Sequence, residues 1–271
     1  MEKLNTKTGN ISTSYNFKSS SNAALTVVFI HGFPFDKTMW NEQLEQLPES
    51  VRGVAYDIRG FGESSTDHLF FSIDLFARDV LQLIKTLQLE SCVLCGISMG
   101  GYVALRALEI SQENIKGLIL CDTNCNADTN EAKLKRFASI ELITTGGKNA
   151  FVEGFVKNVF NSETLDKQPQ TVDFLRNLML RARDESICAA QLALASRTDT
   201  SGTLKNIQLP ALIIKGENDK LMSEEQTTQL ANGISGSEYI IIKNSGHLPN
   251  LENAADFNKA LNNYLSKHFL S

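Results

Sequence analysis

Six short apolar runs, separated by helical patterns, restrict what this chain can fold into more than any other feature. They are "LTVVFI" (25–30), "VRGVAYDI" (51–58), "CVLCGI" (92–97), "IKGLILCD" (115–122), "ALIIKG" (211–216) and "EYIIIK" (238–243). The apolar residues in them are nearly continuous rather than alternating. Such runs belong to strands buried on both faces, as in a parallel sheet covered by helices. Helical patterns lie between most of the runs. "TMWNEQLEQL" has Thr38 as its expected N-cap, and "SIDLFARDVLQLIKTLQL" (72–89) has Ser72. "MGGYVALRALEI", 223–232 and 255–269 supply the others. Strands alternating with helices predict a doubly wound α/β fold with a mostly parallel sheet. Ahead of the first run, residues 1–24 read as an edge hairpin, with "GNISTSYNF" alternating and "KSSSNAA" turning.

The alternation fails between Cys121 and Leu209. "EAKLKRFASIELI", "NAFVEGFVKNVF", "TVDFLRNLMLRA" and "ESICAAQLALAS" all read as helices, with no strand among them. The expected organisation is a core formed by 1–122 and 206–271, with 123–205 inserted as a helical cap over the C-terminal edge of the sheet. A chain of 271 residues with 42% hydrophobic content can bury such a core.

A net charge of −5, with no long run of Lys and Arg, argues against nucleic-acid binding. No apolar stretch approaches the ~18 residues of a membrane span. The opening "MEKLNTKTGN" lacks the apolar core of a secretion signal. Together with an odd count of five cysteines, this predicts reduced thiols and a cytoplasmic setting. Cys92-x-x-Cys95 invites a redox or metal reading. In a strand, however, residues three apart point to opposite faces, so the pair is expected to be packing thiols.

The stretch that carries chemistry is "CGISMGG" (95–101), between an apolar run and a helical pattern. Strand, Gly-x-Ser-x-Gly, helix is the sharp turn that exposes a nucleophilic serine. Ser98 then sits at the apex, and Gly96 and Gly100 flank it where a Cβ would clash. A serine needs a base, and the base needs an orienting carboxylate. Of four histidines, His31 directly follows a strand, His68 lies in a polar loop and His268 is near the C-terminus. His247, in "NSGHLPNLE", follows the last strand and is the expected base. Glu217 and Asp219 follow the fifth run, and Asp122 ends the fourth. Asp219 is favoured as the acid, with Asp122 as its competitor. The backbone N–H groups of Met99 and of Phe33, in "HGFPFD", are the expected oxyanion donors.

The residues "HGFPFDKTMW" (31–40), "DIRGFGES" (57–64), "CGISMGGYVAL" (95–105), "GENDKL" (216–221) and "SGHLPNLE" (245–252) together resemble the α/β-hydrolase superfamily. The resemblance spans about 25 to 268 and implies Ser98, Asp219 and His247 as nucleophile, acid and base. It implies Phe33 and Met99 as oxyanion donors. Many members have His at the position of Ile97. A Ser rather than Asp nucleophile argues against the superfamily's epoxide hydrolases and haloalkane dehalogenases. The chain looks most like the 3-oxoadipate enol-lactonase and small carboxylesterase branch. The implied substrate is a small-molecule ester or lactone, with no metal or organic cofactor. The alternatives are a non-hydrolytic ligand-binding receptor of the same fold, and carbon–carbon bond hydrolysis or perhydrolysis in the same site.

Specificity is expected from the cap, where the Phe and Leu of "FVEGFVKNVF" and "FLRNLML" either line a pocket or pack helix on helix. Trp40 is a candidate pocket wall, against plain core packing. Arg197 is a candidate partner for a substrate carboxylate, against a salt bridge with Asp199 or another acid.

Overall fold

The computed structural model describes residues 1–20, 23 and 25–270. The chain opens with β1 (Glu2–Thr8) and β2 (Ile11–Lys18), an antiparallel hairpin at the sheet edge. The turn expected over 18–24 includes positions outside the described residues. Next come β3 (Leu25–Ile30), α1 (Asn41–Gln46), β4 (Val51–Tyr56), α2 (Ile73–Thr86), β5 (Cys92–Ile97), α3 (Met99–Ile110) and β6 (Ile115–Cys121). Five helices follow before another strand: α4 (Asn130–Thr144), α5 (Lys148–Val159), α6 (Ser162–Lys167), α7 (Pro169–Arg181) and α8 (Asp184–Ala195). The chain closes with β7 (Ala211–Gly216), α9 (Glu224–Gly233), β8 (Glu238–Ile242), α10 (Pro249–Glu252) and α11 (Ala254–Phe269).

The eight strands form one sheet in the order β1-β2-β4-β3-β5-β6-β7-β8. From β4 through β8 every neighbouring pair is parallel. β3, β5 and β7 are buried at every residue, as their continuous apolar sequences require. Each fully buried Val, Ile or Leu contributes about 1.5–3 kcal/mol relative to exposure, so these strands anchor the core. Among the cysteines, Cys92, Cys95, Cys121 and Cys125 are buried, Cys188 is half-buried, and all five are free thiols.

Two local details differ from expectation. Thr38 does not cap the first helix. The Asp36 carboxylate accepts from Thr38 N–H at 2.9 Å, and the chain makes a 3-10 turn over Lys37–Trp40 before α1. The insert holds α6 besides the four expected helices; its polar sequence "SETLDK" has no apolar periodicity to reveal it. Ser72 caps α2 as expected, accepting from Leu75 N–H at 3.0 Å. Among the described residues, no helix is long and apolar enough to cross a membrane.

The connection from β3 leads to β4 on one side, and β5 then pairs on the other side of β3. Loops leaving β3 and β5 therefore diverge at their carboxyl ends and open a crevice, the usual ligand position in such sheets. Residues 31–35 and Ser98 lie there.

Candidate active site

Ser98 adopts φ +53° and ψ −118°, a backbone conformation costly for any residue but Gly. It is the one residue from Cys92 to Leu105 that is not buried. The turn is held from several sides. Ser98 N–H donates to Cys121 O at 2.9 Å, and the Ser98 carbonyl accepts from Gly101 N–H at 2.9 Å and Thr123 Oγ1 at 2.8 Å. A Cβ on Gly96 would lie 2.7 Å from Gly101 N, and closer still to the Gly100 carbonyl. A Cβ on Gly100 would meet the backbone of Ile30 and His31. The glycines thus let α3 and the end of β3 close tightly under the serine.

Met99 is the first residue of α3, so its N–H has no partner within the helix and belongs to the helix's positive end. Across the crevice, the loop after β3 turns with Phe35 N–H donating to Gly32 O at 3.0 Å. Gly32 packs against Ser98 itself: a Cβ there would sit 3.4 Å from Ser98 Cβ. Phe33 follows in this turn. Its ring meets those of Phe151 (centroids 6.4 Å apart) and Phe155 (6.0 Å) of α5, so the insert lies directly on this loop.

His247 and Asp219 come together. His247 Nδ1 and Asp219 Oδ2 are 2.9 Å apart, with both side chains essentially inaccessible to solvent. Asp219 is fixed by its own N–H donating to Gly216 O and by its Oδ1 accepting from Leu221 N–H at 2.8 Å. A carboxylate acceptor places the proton on Nδ1, which leaves Nε2 as the basic nitrogen. Burial works to raise the Asp219 pKa, but the facing His247, a hydrogen bond from Asp122 and the Leu221 N–H outweigh it and hold it below the usual carboxylate range. No hydrogen bond joins Ser98 Oγ to His247 among the described residues. Catalytic hydrogen bonds of this kind commonly tighten only when substrate is bound.

Asp122, the competing acid, stands beside Asp219. Its Oδ1 accepts from Gly216 N–H at 2.8 Å, and Oδ2 accepts no hydrogen bond. Burial, reinforced by the Asp219 charge, pushes the Asp122 carboxyl well above the usual range. Two carboxylates this close do not both ionise. Burial thus favours the neutral form at Asp122, and the facing His247 favours the charged form at Asp219. Asp122, Asp219 and His247 also place one ligand atom each within 4.8 Å of one another, the one such group among the described residues. The hydrogen bonds from His247 and from Gly216 already account for that closeness.

The remaining candidates are spoken for. His31 is fully buried, with Nδ1 2.9 Å from Gly32 O and Nε2 accepting from Ile58 N–H at 3.0 Å. Burial holds its pKa down, so it is a neutral brace for the loop after β3. Trp40 is wholly buried between Phe29 and Phe257. Arg197 does not pair with Asp199. Its guanidinium binds Asp128 and the Asn126 carbonyl and lies 4.2 Å from the Tyr102 ring centroid. Residue types alone did not single out Glu252, at the end of "SGHLPNLE". It is buried, and its Oε1 accepts from Gly246 N–H at 2.8 Å and Leu248 N–H at 3.2 Å.

A family model described as "Alpha/beta hydrolase family" matches residues 27–260. Among curated proteins, an AB hydrolase superfamily protein of Bacillus subtilis, YisY, is 30% identical over 230 residues, covering 82% of this chain and 84% of its own. The 3-oxoadipate enol-lactonase 2 of Acinetobacter baylyi is 26% identical over 240 residues, covering 87% of this chain and 86% of its own. Among solved structures, a thermophilic esterase from Thermogutta terrifontis superposes with a TM-score of 0.90 at 31% identity, covering 99% of this chain and all of that one.

Proposed function

The chain belongs to the alpha/beta hydrolase family, and from that premise we propose that it is a serine hydrolase cleaving a carboxylic ester or lactone of a small molecule through an acyl-enzyme on Ser98. The observation that carries this reading is the buried His247–Asp219 pair at 2.9 Å, at the same sheet edge as a strained, half-buried Ser98. The esterase and enol-lactonase among its relatives support the ester or lactone class.

His247 Nε2 takes the hydroxyl proton as Ser98 Oγ attacks the carbonyl carbon. The resulting oxyanion is held by the Phe33 and Met99 N–H groups; one such donor is typically worth ~10²–10³ in turnover. His247 then gives its proton to the leaving alkoxide. Water, deprotonated by the same nitrogen, attacks the acyl-enzyme and releases the acid. Asp219 holds the imidazole tautomer and stabilises the imidazolium, and neutral Asp122 keeps Asp219 in place. Residues 123–205 act as a cap. Its α5 packs on the oxyanion loop through Phe151 and Phe155, which favours an apolar acyl group. Five free thiols suit a cytoplasmic setting.

The test is a panel of p-nitrophenyl esters and small lactones assayed with the wild type and Ser98→Ala. Hydrolysis that falls at least ~10³-fold in the variant supports the reading. Activity within tenfold of wild type contradicts it.

A further inference from the structure

His247 sits between two amides, Gly246 and Leu248, and both donate to one oxygen of Glu252. The other oxygen of the same carboxylate accepts from Asn161 N–H at 2.8 Å and from Thr164 Oγ1 at 2.8 Å. Both of those residues belong to the insert, Asn161 between α5 and α6 and Thr164 within α6. Three further contacts join the same two segments. His247 N–H donates to Val159 O at 2.8 Å, and Gln168 Nε2 donates to Glu252 O at 3.1 Å. A Cβ on Gly246 would lie 2.6 Å from Val159 O and 2.7 Å from Asn161 N, so the two backbones touch.

A carboxylate this buried is costly unless its charge is met. No ion pair to Glu252 is found among the described residues, and the four donors are what meet it. Burial still pushes its pKa up, against the pull of those donors. A group held at such expense, with one oxygen on the base loop and one on the insert, does more than fill space.

We infer that Glu252 is a positioning residue for His247: its carboxylate locks the loop carrying the base to the 159–164 segment of the insert. The base is then correctly placed only while that segment is seated. This inference rests on the reading of His247 as the base.

The test compares wild type, Glu252→Gln and Thr164→Val. Gln keeps the shape but offers an NH₂ to two of the four donors. Val removes one insert-side bond and leaves both base-loop bonds intact. Per fluorophosphonate-titrated site, Glu252→Gln is expected to lower kcat by about tenfold or more with KM within about threefold, since small misplacements of catalytic groups are costly. The downfield proton NMR signal of His247 Nδ1–H should broaden or vanish. Thr164→Val should lower kcat about threefold, in the same sense. A role in stability alone would lower the melting temperature but leave kcat per site and the NMR signal unchanged, and that result overturns the inference. If Glu252→Gln does not fold, Thr164→Val decides: reduced kcat supports the inference and wild-type kcat overturns it. If Ser98→Ala proves as active as wild type, it is the hydrolase reading that fails. The NMR signal then tests the positioning claim by itself, lost in Glu252→Gln if the claim holds and kept if it does not.

Discussion

Gly100→Ala tests whether the serine turn and the oxyanion loop are built as one unit. The added Cβ would lie 2.8 Å from the Ile30 carbonyl carbon and 2.9 Å from His31 O, and closer than either to Ile30 O. Carbon atoms pack best at about 3.5–4.0 Å, so the deficit is about 0.7 Å or more. All three neighbours are backbone, so no side chain can swing away. Relief requires α3 and the end of β3 to move apart, and these carry Met99 and the loop leading to Phe33. Overpacking a close-packed interior costs about 1–3 kcal/mol, whereas Ala gains at most ~1 kcal/mol over Gly in a helix. Three backbone contacts this close put the site at the upper end of that range, so the steric term wins, with a net loss of about 2 kcal/mol. At roughly 2–4 °C per kcal/mol for a large domain, the melting temperature falls by several degrees. Parting the two proposed oxyanion donors should cost much more in rate, about 10²-fold in kcat/KM. Calorimetry and p-nitrophenyl ester hydrolysis read the two effects. Gly154→Ala is the control: it lies exposed in α5 with nothing within 4 Å of its Cβ. It should add about 0.5–1 kcal/mol of stability and leave kcat/KM unchanged. Wild-type melting and kcat/KM in Gly100→Ala would refute the reasoning.

Asp122→Asn mimics the neutral acid, accepting from Gly216 and donating to Asp219, so kcat/KM should stay within about threefold, while Asp122→Ala should lose about tenfold or more. Because burial raises the folded-state pKa of Asp122, the unfolded chain releases its proton first. The contribution of Asp122 to wild-type stability therefore declines as pH rises above about 4, and the Asp122→Asn variant should gain on wild type as the pH is raised from there. Equal losses in the Asn and Ala variants, or no pH trend in their stability difference, would show that Asp122 is charged. Burial pushes the Cys92 thiol up to about 12 and the Cys125 thiol up to about 11, and Cys95 and Cys121 are wholly buried. A thiol-reactive dye at about pH 8 should therefore modify only half-buried Cys188 in the native protein and all five thiols after denaturation. Rapid native reaction of two or more would place a second thiol at the surface.

The sheet could be read from the sequence because its central strands are buried on both faces, and burial on both faces writes itself as an unbroken apolar run. "LTVVFI", "CVLCGI" and "ALIIKG" coincide with β3, β5 and β7 to the residue. Turn chemistry was harder. Asp36 and Thr38 are both N-cap types two residues apart, and only the backbone shows which one accepts. Helix α6 carries no periodicity because it is short and largely polar. The candidate site followed from residue types at strand ends, but chain order could only rank Asp219 and Asp122. In space they share one cluster, and it is the hydrogen bonds that tell them apart: Asp219 faces His247 and Asp122 faces the Gly216 N–H. What the sequence concealed were long-range polar pairings. Arg197 with Asp128, and Glu252 with Asn161 and Thr164, join segments far apart in the chain with no local pattern to announce them.

The central claim is that Ser98 is the nucleophile, activated by His247. Intact-mass spectrometry after brief treatment with a fluorophosphonate measures this directly. The account predicts one adduct per chain, mapped by peptide digestion to Ser98, absent in Ser98→Ala and slowed by at least ~10²-fold in His247→Ala. An unlabelled wild type, or an adduct on any residue other than Ser98, would contradict it.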